Sequence, residues 1–178
     1  SFQRQGGFFS AMFRKMFGGE NFFLGKYSHE NGGTLTFAPS IPGAVEHYNL
    51  SNNRLNIMAG SFLACTPGIN IKAKFGGLKA LFSGEGAFLL EASGNGDLFF
   101  NSFGGIIEKE INGEFIVDTG HVVGFEPTLS YKISGMGNWK STMLSGEGLV
   151  MTFNGTGKIY LQTRTIDGIA SWLTPRLI

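Results

Sequence analysis

Short apolar stretches, separated by glycine, asparagine or proline, recur about every ten residues along this chain. In the clearest of them, Leu149, Met151 and Phe153 alternate with Val150 and Thr152. Alternation with a period of two is typical of a strand that has one face in the core. The pattern therefore predicts an all-β protein.

Two stretches of the chain match each other block by block, about 60 residues apart. Residues 59–71 and 119–131 both contain a glycine, an apolar strand, a proline turn and an alternating strand. Residues 83–100 and 145–161 both begin with Ser-Gly-Glu-Gly and continue as a strand, a glycine turn and a second strand. A repeat of this period is typical of supersecondary units that bury their faces by packing on one another.

A weaker third copy begins at Gly18-Gly19-Glu20-Asn21. We therefore expect a single domain, a pseudo-threefold β-body, whose three copies are residues 1–54, 55–114 and 115–178. The first copy lacks the glycine, strand and proline-turn block that opens the others, and the chain begins at Ser1 rather than at methionine. Our hypothesis is that a native N-terminal portion of a few tens of residues completes it.

Four runs rich in glycine or asparagine predict hairpin turns, two of them at the joints between copies and two within copies. The strongest is Asn112-Gly113, because both residues tolerate a positive φ angle. The other three are Ser51-Asn52-Asn53-Arg54, Gly94-Asn95-Gly96 and Gly155-Thr156-Gly157.

One N-terminal segment departs from the strand pattern. Its apolar residues fall at i, i+3 and i+4 spacings, which place them on one face of a short helix; they are Phe9, Met12, Phe13, Met16 and Phe17. We interpret this segment as a helix that covers an open end of the β-body. An interfacial membrane helix or a docking helix for a protein partner is the alternative. A second helical turn is expected near residues 167–173.

Composition adds limits on partners and location. The net charge of +1 creates no long-range field, so neither nucleic acid nor an anionic membrane is an expected partner, and peripheral membrane contact is not indicated by charge. Only 15% of residues are charged, which is compatible with a surface partly covered by another subunit. A lone cysteine, Cys65, and the lack of an apolar run of roughly 18 residues predict a soluble, cytoplasmic protein.

The candidate catalytic chemistry is sparse. The three histidines, His29, His47 and His121, are isolated in sequence, and no metal-binding spacing such as HExxH occurs. Asp118 lies three residues from His121 and would point to the other face of a strand, which favours surface or turn roles for both residues. We expect no transition-metal site and no cofactor.

Two other classes of site are also disfavoured. Ser83 and Ser145 lie in Ser-Gly-Glu-Gly turns, which are not the Gly-x-Ser-x-Gly elbow of a nucleophilic hydrolase. The lysines that recur in the two copies are expected on a solvated face rather than at an RNA site, because most aromatic residues alternate inward. They are Lys72, Lys74, Lys79, Lys132 and Lys140.

The repeated glutamates Glu20, Glu85 and Glu147 are the one constellation that symmetry promotes. Around a threefold axis they would occupy equivalent positions and could converge on a cation, since three carboxylates in a small space need a metal, protons or basic partners. The simpler interpretation is that each carboxylate accepts backbone hydrogen bonds within its own turn and recurs because the turn recurs.

Six short runs carry a resemblance to a known family: Leu-Ser-Gly-Glu-Gly-Leu-Val at 144–150, Gly-Thr-Gly-Lys at 155–158, Tyr-Leu-Gln-Thr-Arg at 160–164, Val-Asp-Thr-Gly-His at 117–121, Phe-Gly-Gly-Glu at 17–20 and Gly-Ser-Phe-Leu-Ala at 60–64. Through them the chain resembles the altered-inheritance-of-mitochondria protein 24 family over essentially its whole length.

The resemblance implies a fold like that of the tryptophan RNA-binding attenuation protein, often grouped with double-stranded β-helices. It implies a bacterial or archaeal member of undefined function; fungal members are mitochondrial and associated with inner-membrane organisation. The family offers no catalytic residues to carry over, and a shared fold does not transfer RNA binding. We therefore expect a non-enzymatic scaffold or interaction protein that forms homo-oligomers. Its expected contact surfaces are the repeat edges and the helical face formed by Phe9, Met12, Phe13, Met16 and Phe17. A small-ligand or cation-binding module at the threefold axis is the alternative.

Overall fold

The structure, a computed structural model, describes residues 2–3, 24–28, 30–75, 88–135 and 149–177. The chain forms two compact units, residues 1–36 and 37–178. In the first unit, β1 (Phe2–Gln3) pairs antiparallel with β2 (Leu24–Gly25). All the elements considered below belong to the second unit.

The second unit contains five elements that occur twice in the same order. The first set is β3 (Val45–Met58), the 3₁₀ turn Ala59–Ser61, β4 (Phe62–Cys65), β5 (Ile69–Phe75) and β6 (Phe88–Asn101). The second set is β7 (Ile106–Asp118), the 3₁₀ turn Thr119–His121, β8 (Val122–Phe125), β9 (Ser130–Gly135) and β10 (Leu149–Gln162). We refer to residues 45–101 as the first module and to residues 106–162 as the second module.

A short helix, α1 (Ile166–Leu173), follows the second module. Thr165 caps it, because the hydroxyl oxygen of this residue accepts a hydrogen bond from Gly168 N at 3.0 Å. The expected all-β class and the helical turn near residues 167–173 are confirmed. No helix in the described ranges is long and apolar enough to cross a bilayer.

The described strands of the two modules form one antiparallel sheet in the order β4-β6-β3-β8-β10-β7, with β5 also beside β6 and β9 also beside β10. Within each module the two long strands pair along nearly their whole length. The modules meet at β8, which pairs with β10 of its own module and with β3 of the other.

The four predicted hairpin turns are wrong, because each lies within a continuous long strand. Gly113 faces Gly155 across the ladder, and Asn53 faces Gly94. Gly94, Gly113 and Gly155 have φ angles of 122°, 108° and 130°. A positive φ angle serves a kink or bulge in a paired strand as well as it serves a hairpin. The pairing of strands that are distant in sequence therefore decides between a kink and a hairpin. In each module of this chain, two paired strands kink at the same level.

β3 carries one residue more than β7, and the extra residue is Asn52. Asn52 has a φ angle of 56° and lies at the register shift between Ser51 and Asn53. Its backbone N–H donates to Asn95 Oδ1 at 2.9 Å, and Asn95 Nδ2 donates back to Asn52 Oδ1 at 2.8 Å. The bulge is thus closed by reciprocal hydrogen bonds between Asn52 and Asn95.

The pairing registers define which residues of the two modules are counterparts. A first-module residue that lies before Asn52 or in β6 has its counterpart 61 positions later; Ile106, for example, is the counterpart of Val45. A residue from Asn53 to Phe75 has its counterpart 60 positions later, so that Val122 is the counterpart of Phe62. Asn56, for example, faces Glu91, and its counterpart Ile116 faces Thr152.

The core lies between the strands of the modules and is rich in aromatic rings. Its largest fully buried side chains include Phe100, Phe125 and Phe153. The predicted inward positions Met151 and Phe153 are buried, as expected, and Ile159 is buried as well. Tyr160 is also buried, and its ring packs edge-on against Phe100 at 5.3 Å between centroids. Burial also raises the pKa of the Tyr160 phenol.

Candidate functional site

Two groups of residues predicted to carry function lie outside the described residues. They are the repeated glutamates Glu20, Glu85 and Glu147, and the helical face formed by Phe9, Met12, Phe13, Met16 and Phe17. The axial site and the covering helix therefore stay predictions. Within the described ranges, no group of three or more histidine, cysteine, aspartate or glutamate side chains is arranged to hold a metal ion.

Asp118 and His121 do not form a pair. Asp118 Oδ1 accepts a hydrogen bond of 2.7 Å from Gly120 N, and His121 Nδ1 lies 2.7 Å from the carbonyl oxygen of Gln162. Gln162 Nε2 in turn donates to Gly120 O at 2.7 Å. The turn roles predicted for both residues are confirmed.

His47, which is isolated in sequence, has a polar partner on the next strand. Its Nε2 atom lies 2.8 Å from Asp97 Oδ1, and Asn49 Nδ2 donates to the same oxygen at 3.1 Å. These hydrogen bonds, that from His47 first, hold the pKa of the Asp97 carboxyl below its ordinary value. The imidazole also stacks on Phe99, with 5.0 Å between ring centroids. The spacing of His47 and Asn49 places them on one face, but only the strand register reveals Asp97.

The second module has the counterpart of this pair with the acid and base exchanged. Glu108 occupies the position of His47, and Lys158 occupies that of Asp97. Lys158 Nζ lies 2.6 Å from Glu108 Oε1, and this hydrogen bond raises the pKa of the lysine. In both modules one diagonal polar pair connects the two long strands, so these groups hold structure.

A buried carboxylate distinguishes the first module. Glu91 is only 7% exposed, accepts a hydrogen bond from Lys74 Nζ, and has its Oε2 atom 3.7 Å from Arg54 Nη1. Asn56, which lies on β3 and faces Glu91, is 6% exposed, and its Oδ1 atom has no hydrogen-bond partner among the residues that the structure describes. A carboxylate paired with two cations is suited to hold strands together rather than to bind a further cation.

The candidate interaction site is formed by two sheet edges that differ from the place where β8 joins the two modules. We call that place, where β8 is paired on both sides, the closed junction. In the closed junction Gly124 pairs with both Tyr160 and Ile57, and Phe125 pairs with both Ile159 and Asn56; β8 thus has a partner strand on each side. This two-sided pairing is the reference against which its counterpart β4 can be compared.

β4 has a partner on one side only within the described part of the chain. Ala64 faces Phe99 and Cys65 faces Leu98, both on β6. On the side of Ala64 and Cys65 that faces away from β6, the described part of the sheet contains no partner strand. We call these two residues the β4 edge. Burial raises the pKa of the half-buried Cys65 thiol, which keeps it protonated.

β7 is open in the same way. It pairs with β10 from Ile106 to Asp118, and on its other side the described ranges contain no partner strand. We call Ile116 and Val117, the counterparts of Asn56 and Ile57, the β7 edge. Ile116 is 57% exposed, although Asn56 at the closed junction is 6% exposed. A long edge with an exposed apolar side chain is a template for pairing with another strand.

Helix α1 presents a second apolar surface. Ile166, Ile169 and Trp172 are 53%, 41% and 58% exposed, and no residue of the helix is buried. A cleft of about 440 Å³ separates α1 from residues around His121. Sequence reasoning placed the helix but gave no signal for this cleft.

Comparison with known proteins identifies the family of this chain. The mitochondrial biogenesis AIM24 family pattern matches residues 1–164. An uncharacterized protein of Streptococcus pyogenes serotype M6 is 32% identical over 166 residues, which are 92% of this chain and 67% of that protein. A crystal structure of a Streptococcus pyogenes protein is similar with a TM-score of 0.68 and 30% identity, over 78% of this chain and 62% of the other. The chain belongs to the mitochondrial biogenesis AIM24 family.

Proposed function

We propose that this chain is a non-enzymatic scaffold or interaction protein that associates with further copies of itself. The observation that carries the proposal is the contrast between Ile116, 57% exposed, and its counterpart Asn56, 6% exposed beside β8. An isoleucine at a position that the same fold otherwise buries favours a surface that is covered when the protein is assembled.

The proposal includes the pseudo-threefold β-body, related to the attenuation-protein fold, that the repeat predicts. Two modules with the same order and register, joined where β8 meets β3, support it. In a threefold body this contact would occur three times. The β4 edge and the β7 edge are the two half-contacts that a third module would complete.

The described charged groups support a structural rather than a catalytic role. Glu91 is paired with Lys74 and Arg54, and Asp97 is hydrogen bonded by His47. Each of these contacts connects neighbouring strands. Their carboxylates are therefore engaged in holding the sheet.

Native mass spectrometry and light scattering over a range of concentrations test the proposal. Burying an isoleucine is worth about 1.5–3 kcal/mol, so Ile116→Lys is expected to weaken association by about tenfold or more. Ile107→Lys is the matched control: Ile107 is also exposed on β7, but its counterpart, Glu46, is not among the β3 residues that pair with β8. Ile107→Lys should leave association unchanged.

Other outcomes would reject the proposal. A protein that stays monomeric at every concentration contradicts self-association. A strict monomer that retains a small molecule or cation would favour the alternative, a binding module centred on Glu20, Glu85 and Glu147. Equal effects of the two lysine substitutions would show that association uses another surface.

A further inference from the structure

We propose that the cleft between α1 and the second module binds a small apolar molecule that carries a carboxylate group. The cleft has a volume of about 440 Å³, within the range of about 300–1,000 Å³ that is usual for sites of small organic ligands. Its wall includes His121, Arg164, Ile169 and Trp172. The proposal uses neither the sheet edges nor the repeated glutamates, and it goes beyond the proposed scaffold role.

The two residues that can give the cleft a positive charge are particular to the second module. Two residues past the end of the last long strand, the first module has Phe103 and the second has Arg164. At the end of the 3₁₀ turn, the first module has Ser61 and the second has His121. Phe103 and Ser61 are 4% and 7% exposed, whereas Arg164 and His121 line the cleft. The fold of a module therefore requires neither an arginine nor a histidine at these places.

Hydrogen bonds fix the orientation of the His121 ring. Its Nδ1 atom lies 2.7 Å from Gln162 O, and because a carbonyl oxygen can only accept, Nδ1 carries the proton. Gln162 is itself held, since its Oε1 atom accepts from Phe103 N at 2.9 Å and its Nε2 atom donates to Gly120 O at 2.7 Å. The wall is thus ordered before a ligand binds, which lowers the entropic cost of binding.

Arg164 supplies a fixed charge at the cleft. Its backbone N–H donates to Phe103 O at 3.2 Å, and its stem lies over Gly104, where a Cβ atom would be 3.1 Å from Arg164 Cγ. The described residues that line the cleft include no acidic side chain, although Asp118 and Asp167 are close in sequence. A guanidinium in such a wall favours an anion, and it binds a carboxylate through two parallel hydrogen bonds.

The α1 side of the cleft is apolar. Ile169 and Trp172 line it and are 41% and 58% exposed. Arg176 lies over the indole ring of Trp172, with 4.4 Å between its Cζ atom and the ring centroid. Burial of an apolar body against these two side chains would supply affinity, and a carboxylate at Arg164 would fix the orientation. The two walls together match a molecule that has both parts.

Calorimetric titration of the intact chain with para-butylbenzoate tests the recognition of charge. The matched probe is para-butylbenzamide, which has the same shape and no charge. Hydrogen bonds between charged groups are stronger than those to a neutral amide, so the carboxylate should bind about tenfold or more tightly than the amide. Equal affinity for the two probes, or no saturable binding of the carboxylate at millimolar concentration, would overturn the proposal.

A substitution at Arg164 tests where the carboxylate binds. Arg164→Met removes the guanidinium and keeps an apolar stem over Gly104, so it should weaken para-butylbenzoate binding about tenfold and change para-butylbenzamide binding by less than about twofold. Lys132→Met is the matched control, because Lys132 is an exposed cation of the same module that does not line the cleft. It should change neither affinity. Equal effects of the two substitutions on the carboxylate would assign the binding to general attraction of charge and reject the site.

Substitutions in α1 test the apolar wall. Trp172→Ala should weaken the binding of both probes by a similar factor of about tenfold, because both bury the same apolar body. Ile169→Ala leaves the contact between Trp172 and Arg176 in place and should weaken both probes severalfold. The substituted side chains are exposed, so circular dichroism melts of the variants should match that of the wild type. A loss confined to one probe, or unchanged affinity in both variants, would contradict a ligand beside α1.

Light scattering on the same samples separates this site from the proposed self-association. A chain that stays monomeric and binds para-butylbenzoate in the manner described would keep the site and reject self-association. A chain that associates and shows no saturable binding would reject the site and leave the scaffold role standing. Binding that neither Arg164→Met nor Trp172→Ala weakens would take place elsewhere on the chain and would also reject the site.

Discussion

In the first module, the C-terminal half of the long strand β3 pairs with β6 on one side and with β8 on the other. The same half of β7 in the second module pairs with β10 alone among the described strands. Met58 and Leu89 pack against the core around Phe125 of the neighbouring module. Ile116, on the equivalent face of β7, is exposed. Within the described part of the chain, the neighbouring module therefore covers this half of β3, and no described module covers the same half of β7.

The two modules also differ in where they place charge. Glu91 is buried beside Lys74 in the first module, and the counterparts of these residues are Thr152 and Ser134. The same backbone register thus accepts an ion pair or two small polar side chains. Charge at this position is a property of the covered face and is not required by the fold of the module.

The largest expected effect is a difference in stability between a substitution at the closed junction and one at the β4 edge. Phe125 is fully buried and packs edge-on against Phe153, with 4.9 Å between centroids, so Phe125→Ala should lower the free energy of unfolding by about 3–5 kcal/mol. Its counterpart Cys65 is half-buried, and Cys65→Ala should cost below about 1 kcal/mol. Urea denaturation at a concentration at which the chain is monomeric measures both. Similar losses would show that β4 is covered in the monomer.

A second comparison concerns the kinks in the long strands. Gly94 and Gly113 both have a positive φ angle, but a Cβ atom at Gly94 would lie 2.3 Å from Gly68 O, whereas one at Gly113 would have no described atom within 4 Å apart from those of its chain neighbours. Gly94→Ala should therefore cost about 3 kcal/mol, from strain and a clash with backbone, and Gly113→Ala about 1 kcal/mol, from strain alone. Thermal and urea unfolding of the two variants gives the difference. A larger loss at Gly113 would contradict the assignment of crowding to the Gly94 kink.

These kinks show what the sequence could and could not predict. Alternation at Leu149, Met151 and Phe153 predicts a strand correctly, since the period of side chains depends only on local backbone geometry. Asn112-Gly113 predicts a hairpin in place of the strand kink that occurs, because a positive φ angle suits both equally well. The pairing of Gly113 with Gly155, 42 positions away, decides between them. Local sequence does not contain that information.

The candidate site was predictable to a similar extent. The repeat indicated equivalent positions, but the difference between Asn56 and Ile116 depends on which strand lies beside each of them. The partner of His47 was likewise missed, because Asp97 is 50 residues away and becomes a neighbour only through the register of β3 and β6. The predicted interaction residues and glutamates lie outside the described ranges.

A third prediction concerns variants that remove the charge difference between the modules at Glu91 and Lys74. Lys74→Met should lower the free energy of unfolding by about 1–2 kcal/mol, because it leaves the buried Glu91 carboxylate with Arg54 alone; the lysine is 47% exposed, which limits the loss. Glu91→Thr with Lys74→Ser reproduces the second module and should stay within about 1 kcal/mol of the wild type. Denaturant midpoints measured at equal protein concentration compare the two. A double variant as unstable as Lys74→Met would show that the ion pair itself is required.

The smallest expected effect concerns the diagonal pairs His47–Asp97 and Glu108–Lys158. Their contributions to stability should be lost at opposite ends of the pH range. The pKa of Asp97 is lowered from 3.8 in the folded chain, so its contribution to stability is present above pH 3.8 and is lost as the pH falls through the folded value. The pKa of Lys158 is raised from 10.5, so its contribution is present below pH 10.5 and is lost as the pH rises through the folded value. Both side chains are exposed at the surface, where such pairs contribute little.

The difference in melting temperature between wild type and Asp97→Asn should therefore shrink below pH 3.8, and the difference between wild type and Lys158→Met should shrink above pH 10.5. Circular dichroism melts at low ionic strength provide both curves, since salt screens exposed pairs. Each variant is the control for the other: at either extreme only one difference should change. If both differences vanished together, general acid or alkaline unfolding would be the cause, and the charge exchange between modules would have no separate effect on stability.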